Sequence, residues 1–420
     1  MKVRHGVSCF CVFAAALALA VSLPATSIAA ETKSPAEATP EAAAPDPVGP
    51  YLLVDAETGE VYQHHDAARP WFPASTTKLM TIYTAFRAVR AGEISLDSAV
   101  VYTDNAAAQP PSKMGFKSGT ILTLDNAIKM MMVKSANDIA VAVAEAVGGS
   151  VDGFAAHMNA EAARLGMTRS HFVNPHGLPD ERQVTSARDM AVLARALLTD
   201  FPERRDYYKL HAIQIGKKVL KNYNTLIQRY PGANGMKTGF ICASGYNLVA
   251  SARRGEREII AVVFGEYGGR ARAEHAAELL DAGFETRGDV HAGAITLGTV
   301  SSGAAFTTPF DMRPYVCGPK RAAAASEAND DGAEAEEKEV SHLTAPIYLG
   351  PPIRVAVGVP SANAETIVVS VARVPRPRPM LPTDEGIANA FAPDQPPSAP
   401  VEAIDSAAGA AAPLPEVAPN

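Results

Sequence analysis

The chain has 420 residues, a length that favours two or three domains over one. Its net charge of −7 comes from its ends, because residues 293–420 hold 15 acidic and 8 basic side chains while the stretch 48–292 is nearly neutral. A protein that binds nucleic acid electrostatically shows a basic domain or stripe, so nucleic-acid binding is not expected.

Residues 1–30 have the pattern of a secretory signal peptide, with a basic start, an apolar run over 11–23 and small residues at 27–30 for cleavage. We therefore expect export with cleavage. After residue 30, no apolar run reaches the roughly 18 residues that a membrane-spanning helix needs. No basic amphipathic helix ends the chain, so no membrane anchor is expected.

The next segment, 31–47, is rich in proline, alanine and acidic residues, which predicts a disordered linker. Order is expected from residue 48, beginning with a hairpin whose strands lie at 51–54 and 61–62. Helical periodicity and end signals then predict helices at 76–89, 124–133, 138–147, 154–165 and 187–198. The pattern closes with two strands joined by a turn, at 246–252 and 258–264, and a helix at 271–284.

Strands at both ends with helices between them predict one α+β domain over 48–292. Its mostly antiparallel sheet is built from both chain ends and flanked by helices, with a helical lobe inserted between them. Residues 293–420 contain 18 of the 32 prolines, which predicts a Pro/Ala-rich acidic tail that is disordered or weakly structured. β-like runs at 353–359 and 366–374 leave open a small β module at 347–374.

Two cysteines, Cys242 and Cys317, remain after signal cleavage. Two cysteines do not make a disulfide framework. We expect Cys242 to be a buried small residue, and the sequence leaves a pair with Cys317 open without favouring it.

The first of three short motifs is PASTTK at 73–78. Ser75 and Lys78 are three residues apart at the start of a helix, which places them on one face and within contact. A serine hydroxyl is a poor nucleophile until a neighbouring base removes its proton, and a lysine can do so only as a neutral amine. In the alternative interpretation Ser75 caps the helix and Lys78 is a solvated lysine, although cations are disfavoured in a first helical turn.

The second motif, Ser135-Ala136-Asn137, joins two predicted helices, and the third, Lys237-Thr238-Gly239, begins a β run. A hydroxyl with a carboxamide can relay a proton and hold a substrate amide. A cation with a hydroxyl can bind a carboxylate, and Gly239 allows a ligand close to the backbone. Taken alone, helix capping explains the second motif better, and a glycine-rich loop explains the third.

Order and context decide between these interpretations. Ser-x-x-Lys, Ser-x-Asn and Lys-Thr-Gly follow one another on a helix start, an inter-helix joint and a strand, as in penicillin-binding proteins and class A β-lactamases. The longer matching stretches are PASTTKLMT at 73–81, KSANDIAVAVAE at 134–145, MNAEAARLGMTRSHFVNPHGL at 158–178, TSARDMAVLAR at 185–195 and GMKTGFICASGYNLVASA at 235–252. Over roughly residues 48–290 the chain resembles the low-molecular-mass penicillin-binding proteins, serine D-alanyl-D-alanine carboxypeptidases of the bacterial periplasm.

This resemblance implies a reaction at four side chains. Ser75 would attack the carbonyl between two D-alanines, and Lys78 would take its proton. Ser135 would pass a proton to the leaving amine. Asn137 would hold the substrate amide and help to position Lys78.

The resemblance also implies the groups that bind the substrate. Lys237 and Thr238 would bind its terminal carboxylate, and the backbone N–H of Phe240 would share an oxyanion hole with that of the nucleophile. Arg272 falls where the family has a cleft arginine, although Arg270 is close enough to leave this assignment open.

The implied partners are peptidoglycan stem peptides, with β-lactam antibiotics as covalent inhibitors and the periplasm as location. No cofactor is expected, because the sequence has neither a His-Glu-x-x-His metal motif nor a phosphate-binding glycine-rich loop. His176, in NPHGL, is expected to be structural rather than a base. Residues 293–420 show neither the all-β domain nor the anchoring helix of the best-known members.

Three other functions stay open at this point. A class A β-lactamase shares the motifs, but residues 138–230 contain no glutamate in a recognisable deacylation motif. A murein endopeptidase would cut the D-alanine to diaminopimelate cross-links. A non-catalytic wall-binding scaffold is disfavoured by the intact motif set.

Overall fold

The computed structural model describes residues 49–286, 294–301, 306–318, 341–345 and 350–358. The predicted signal peptide, the linker and most of the tail lie outside these residues. The strands are β1 Tyr51–Asp55, β2 Val61–His65, β3 Ala99–Val101, β4 Ile121–Thr123, β5 Ala212–Ile215, β6 Lys218–Lys221, β7 Ala233–Ile241, β8 Gly245–Arg254, β9 Arg257–Glu266 and β10 Ile353–Arg354. The helices are α1 Lys78–Arg90, α2 Asp104–Ala107, α3 Leu124–Lys134, α4 Asn137–Gly148, α5 Val151–Leu165, α6 Ala187–Asp200, α7 Leu226–Arg229, α8 Gly269–Glu285 and α9 Arg313–Val316.

The main sheet is antiparallel and has the strand order β2-β1-β9-β8-β7. Leu53 of β1 pairs with Ala261 of β9, so strands from the two ends of the domain meet in the middle of the sheet. The strand β7, which carries the Lys-Thr-Gly motif, is an edge strand. This arrangement confirms the predicted α+β class with an antiparallel sheet built from both chain ends.

The sheet is buried on both faces because alternate residues of its strands enter different apolar cores. Leu52 and Val54 belong to the core that contains α6 and the helical lobe, whereas Leu53 belongs to the core beneath α8. In the lobe, α4 packs against α1, α2, α3 and α5. Within the described residues no single helix is long and apolar enough to cross a membrane, although α4 and α5 together, bent by 81°, meet the length and composition criteria.

Two short antiparallel strand pairs were not predicted. The strands β3 and β4 have three residues each, and β5 and β6 have four. Strands this short carry little periodic signal, and they form where a tertiary neighbour supplies the packing.

Four described segments of the predicted tail pack on the domain that precedes them. β10, from the run predicted as a strand at 353–359, pairs in parallel with β5, and Val355 is buried in the main core. This part of the predicted β module therefore extends a sheet of the main domain, and residues 359–374 lie outside the described part. His342 Nδ1 lies 2.9 Å from Asp281 Oδ2 of α8, and Leu297 N donates to Gly59 O over 3.1 Å.

Cys242 forms a disulfide with Cys317, which corrects the expectation of an unpaired buried residue. Their Cα atoms lie 5.6 Å apart although 75 residues separate them in sequence. Tertiary contacts bring them together: Phe310 stacks on Trp71 at 5.9 Å, and Met312 N donates to Ala243 O over 3.1 Å. The sequence pattern around either cysteine carries no trace of these contacts.

The disulfide gives the first testable prediction. In the unfolded chain it closes a loop of 75 residues, so its loss should lower the free energy of unfolding by about 2–5 kcal/mol. A C242S/C317S double variant should unfold at a lower denaturant concentration than the oxidised wild type. Dithiothreitol should move the wild type to the midpoint of the variant and leave the variant unchanged. An identical wild-type midpoint with and without complete reduction, verified by thiol titration, would contradict this expectation.

Candidate active site

Ser75 lies on a tight turn that the neighbouring backbone encloses. The turn is a short 3₁₀ helix, Ala74–Thr77, which leads directly into α1, and Ala74 has a positive φ of 48°. A Cβ at Gly177 would lie 1.7 Å from Ala74 O, and a Cβ at Gly239 would lie 2.9 Å from Ser75 N. Only glycine therefore permits this approach of the 177 loop and of β7 to the serine turn.

Lys78 is fully buried and contacts three oxygen atoms. Its Nζ lies 2.9 Å from Ser75 Oγ, 2.7 Å from Asn137 Oδ1 and 3.0 Å from His176 O. The two carbonyl oxygens can only accept hydrogen bonds. A neutral amine donates its two hydrogens to them, which leaves its lone pair directed at the Ser75 hydroxyl. The alternative of a capping serine with a solvated lysine does not describe this residue pair.

The Ser-x-Asn motif lies in the break between α3 and α4. Ser135 has a left-handed backbone, with φ 57° and ψ 31°, and its buried hydroxyl has no hydrogen-bond partner among the described residues. The N-cap residue of α4 is Ala136, whose side chain makes no capping hydrogen bond. Helix capping therefore does not account for Ser135. Asn137 is 3% exposed, and its Oδ1 accepts the bond from Lys78.

The Lys-Thr-Gly motif lies on β7 beside the serine turn. Lys237 and Thr238 are each 1% exposed. Lys237 Nζ donates to Thr238 O over 3.0 Å, and Thr238 Oγ1 has no partner in the part of the chain that the structure describes. Gly239 touches the serine turn, and Lys237 lies two residues before it on the same strand, about 7 Å away at the usual rise. The three motifs thus surround one place.

The structure distinguishes the two candidate arginines. Arg272 of α8 is 3% exposed, and its guanidinium lies 5.4 Å from the ring centre of Tyr246, which packs at 4.3 Å on Phe240. Its Nη2 donates to Tyr223 O over 3.5 Å. Arg270 is exposed and lies 3.9 Å from Glu274. Arg272 is therefore the arginine next to the Lys-Thr-Gly strand.

Backbone carbonyls of the NPHGL segment are the contribution that the motif analysis missed. His176 O accepts from Lys78, and Pro175 O accepts from Thr81 Oγ1 over 2.6 Å. Gln183, which is 1% exposed, links this segment to the serine turn: its Oε1 accepts from Asn174 N over 3.1 Å, and its Nε2 donates to Thr77 Oγ1 over 3.1 Å. Every residue has a backbone carbonyl, so residue types alone do not predict this contact. Only the NPHGL sequence, through the family resemblance, indicated it.

The His176 imidazole is neutral. Burial is the main cause that lowers its pKa to about 3, and its Nδ1 accepts a bond from Leu178 N over 3.1 Å. A buried neutral ring with this pKa does not act as a base near neutral pH. Within the described residues, no group of three or more His, Cys, Asp or Glu side chains could hold a metal ion.

His176 should make the fold sensitive to acid. Its pKa in the folded protein is below the value of about 6.5 in the unfolded chain, so the unfolded state binds a proton first as the pH falls. Stability is complete above pH 6.5 and declines towards pH 3, with a loss of about 2–3 kcal/mol at pH 4.5 from this group. Urea unfolding of H176N, whose amide oxygen can replace Nδ1, should show a smaller loss between pH 7.5 and 4.5. The exposed His171 offers the control H171N, which should lose as much stability as the wild type. Equal losses in H176N and the wild type would contradict the prediction.

The chain is similar to proteins of one known family. A family model described as D-alanyl-D-alanine carboxypeptidase, peptidase family S11, matches residues 36–268. The Escherichia coli protein named D-alanyl-D-alanine carboxypeptidase DacC is 36% identical over 262 residues, which cover 61% of this chain and 65% of that protein. The chain thus spans just under two thirds of this relative's length.

Solved structures show the same fold. Penicillin-binding protein 6B from Escherichia coli matches with a TM-score of 0.54 at 32% identity, over 57% of this chain and 80% of that chain. Penicillin-binding protein D2 from Listeria monocytogenes, in a cefotaxime-bound form, matches with a TM-score of 0.52 at 26% identity, over 57% of this chain and 97% of that chain. These likenesses confirm the resemblance inferred from the motifs. Because the family model matches more than half of the chain, the chain belongs to the D-alanyl-D-alanine carboxypeptidase family, peptidase family S11.

Proposed function

We propose that the chain is a serine D,D-carboxypeptidase that removes the terminal D-alanine from peptidoglycan pentapeptide stems. The observation that carries the proposal is the buried Lys78 Nζ, 2.9 Å from Ser75 Oγ and within 3.0 Å of two carbonyl oxygens. This arrangement supports a serine that loses its proton to a neutral amine. The names of the relatives support the choice of D-alanyl-D-alanine as the bond that is cut.

The reaction follows from these positions. Lys78 takes the Ser75 proton as Oγ attacks the carbonyl between the two D-alanines, and the N–H groups of Ser75 and Phe240 stabilise the oxyanion. The Ser135 hydroxyl gives its proton to the departing D-alanine nitrogen and takes the proton held by Lys78 in return, so that the peptide C–N bond breaks, an ester forms on Ser75 and Lys78 is neutral again. Water then hydrolyses this ester, releasing the tetrapeptide stem and regenerating the serine.

The substrate's terminal carboxylate binds at the strand β7. Lys237 supplies a cation there, and Thr238 supplies a buried hydroxyl without a described partner. A buried polar group left unpaired costs free energy, which a ligand carboxylate recovers. Arg272, beside Tyr246 and Phe240, adds a second positive charge near the same groove.

A β-lactam copies the shape of D-alanyl-D-alanine, so we also propose that penicillin acylates Ser75. The cefotaxime-bound form of the Listeria protein supports this part of the proposal. The proposed place of action is the periplasm, after export directed by residues 1–30.

The positions of the glutamates favour a carboxypeptidase over a class A β-lactamase. Rapid deacylation in such a β-lactamase needs a glutamate that activates water. Of the four glutamates at 138–230, Glu145 accepts from Thr103 and Asn105, Glu161 binds Arg87, Glu181 is exposed, and Glu203 lies near Arg90. Each of the four is either bonded to another side chain or exposed, which favours a long-lived penicilloyl ester.

The deciding experiment is mass spectrometry of the mature protein after benzylpenicillin, with release of D-alanine from a pentapeptide stem measured in parallel. We expect one penicilloyl group on Ser75 that persists for minutes or longer, D-alanine release, and neither activity in S75A. An adduct lasting milliseconds would indicate a β-lactamase. Conversion of cross-linked muropeptide dimers to monomers without D-alanine release would indicate an endopeptidase. The absence of any adduct would favour a scaffold.

Lys78 provides a sharper prediction. K78R should abolish labelling by a fluorescent penicillin, because a guanidinium stays protonated and cannot accept the Ser75 proton. Its circular dichroism spectrum should match that of the wild type. The control K129R changes a lysine of α3 that pairs with Asp125, and it should label normally. Normal labelling of K78R would refute the role of Lys78 as base.

A further inference from the structure

Asp138, the residue after Asn137, is a fully buried carboxylate without a role in the proposed reaction. Its Oδ2 accepts hydrogen bonds from Met114 N over 2.8 Å, from Gly115 N over 2.9 Å and from Tyr102 OH over 2.9 Å. Its Oδ1 accepts from Ile139 N over 2.8 Å. Asp138 therefore fastens the loop 110–115, which precedes β4, to the first turn of α4.

The same loop contacts both flanks of the Ser-x-Asn motif. On one side, Ser112 Oγ donates to Lys134 O over 2.8 Å. On the other side, Asn137 N donates to Ser112 O over 2.8 Å, and Asn137 Nδ2 donates to Pro110 O over 3.1 Å. The loop is thus the structure against which Ser135 and Asn137 are placed.

The bond to Pro110 O decides which way the Asn137 amide points. A carbonyl can only accept, so the NH₂ group must face Pro110 and Oδ1 must face Lys78 Nζ, 2.7 Å away. If the amide were reversed, its NH₂ group would face the Lys78 amine, and both groups are hydrogen-bond donors. In the orientation observed, Asn137 Oδ1 takes one amine hydrogen, and the lone pair of a neutral Lys78 stays directed at Ser75.

We propose that Asp138 is a positioning residue that fixes the loop 110–115, and through it the Asn137 amide, so that the Lys78 lone pair stays directed at Ser75. The inference rests on the proposed function. Asp138 touches no reacting atom, and it acts through the loop and Asn137. Its loss should therefore slow the acylation step without weakening the initial binding of the β-lactam.

The chain offers a matched control in Asp55. This carboxylate is 6% exposed and also accepts two backbone N–H bonds and a tyrosine hydroxyl, from Glu57 N, Thr58 N and Tyr62 OH. It lies at the end of β1, and β1 and β7 are on opposite sides of the central strands β9 and β8. D55A removes the same kinds of bonds far from the serine turn, so it reports the effect of lost stability alone.

The experiment measures acylation of the mature wild type, D138A, D138N and D55A by a fluorescent penicillin over a range of concentrations. Each series yields the rate at saturation and the half-saturating concentration, and thermal unfolding is recorded for each protein. For D138A we expect a saturating rate about 10- to 100-fold below the wild type, the range that a small misplacement of a catalytic group produces. The half-saturating concentration should stay within about twofold, since initial binding is untouched. D55A should keep the wild-type rate, and D138N, which retains one oxygen for the loop, should lie between wild type and D138A.

A wild-type saturating rate in D138A would overturn the inference, as would an equal rate loss in D55A at a similar unfolding temperature. Should D138A fail to fold, D138N decides: a rate at least threefold below the wild type supports the inference, and an unchanged rate overturns it. A wild-type protein that no β-lactam labels would contradict the proposed function itself, whereas a labelled wild type with an unaffected D138N contradicts only the role of Asp138.

Discussion

The site depends on a buried amine. Lys78 is fully buried, and two of the three oxygens that its Nζ contacts come from distant parts of the chain, Asn137 at 59 residues and His176 at 98 residues. A buried polar nitrogen without partners is costly, so these contacts must form together or not at all. The contacts of this one nitrogen therefore link the helical lobe, the break between α3 and α4, and the NPHGL segment.

Close packing around the serine turn imposes a second constraint. Gly177 and Gly239 approach the turn from two sides, at positions where a Cβ would collide with Ala74 O or crowd Ser75 N. Because Gly239 brings β7 against Ser75, the cation and hydroxyl that precede it on the strand reach the same groove. The glycine of the Lys-Thr-Gly motif was expected to let a ligand approach the backbone, and it also lets the turn that carries Ser75 pack against β7.

Local features of the sequence were predictable, whereas contacts between distant segments were not. The helix predicted at 187–198 forms as α6, and Ser186 caps it because its Oγ accepts a hydrogen bond from Asp189 N over 3.1 Å. The contact between Ser75 and Lys78 follows from helical spacing alone. The short strand pairs, the carbonyl of His176 and the disulfide depend on tertiary neighbours that no local pattern encodes. The motif set identified the remaining site residues by resemblance, and their convergence could not have been derived from spacing.

The described segments after residue 292 pack on the domain that was predicted to end there. Phe310 stacks on Trp71, whose Nε1 donates to Ser244 O over 2.9 Å, and Cys317 is bonded to Cys242. Trp71 precedes the serine turn, and Cys242 and Ser244 follow the strand that carries Phe240. A segment that packs on both flanks therefore restrains the two backbone elements from which the oxyanion hole would be built. Charge and proline content predict a tail here, but the aromatic and sulfur contacts attach residues 306–318 to Trp71 and Cys242 of the catalytic domain.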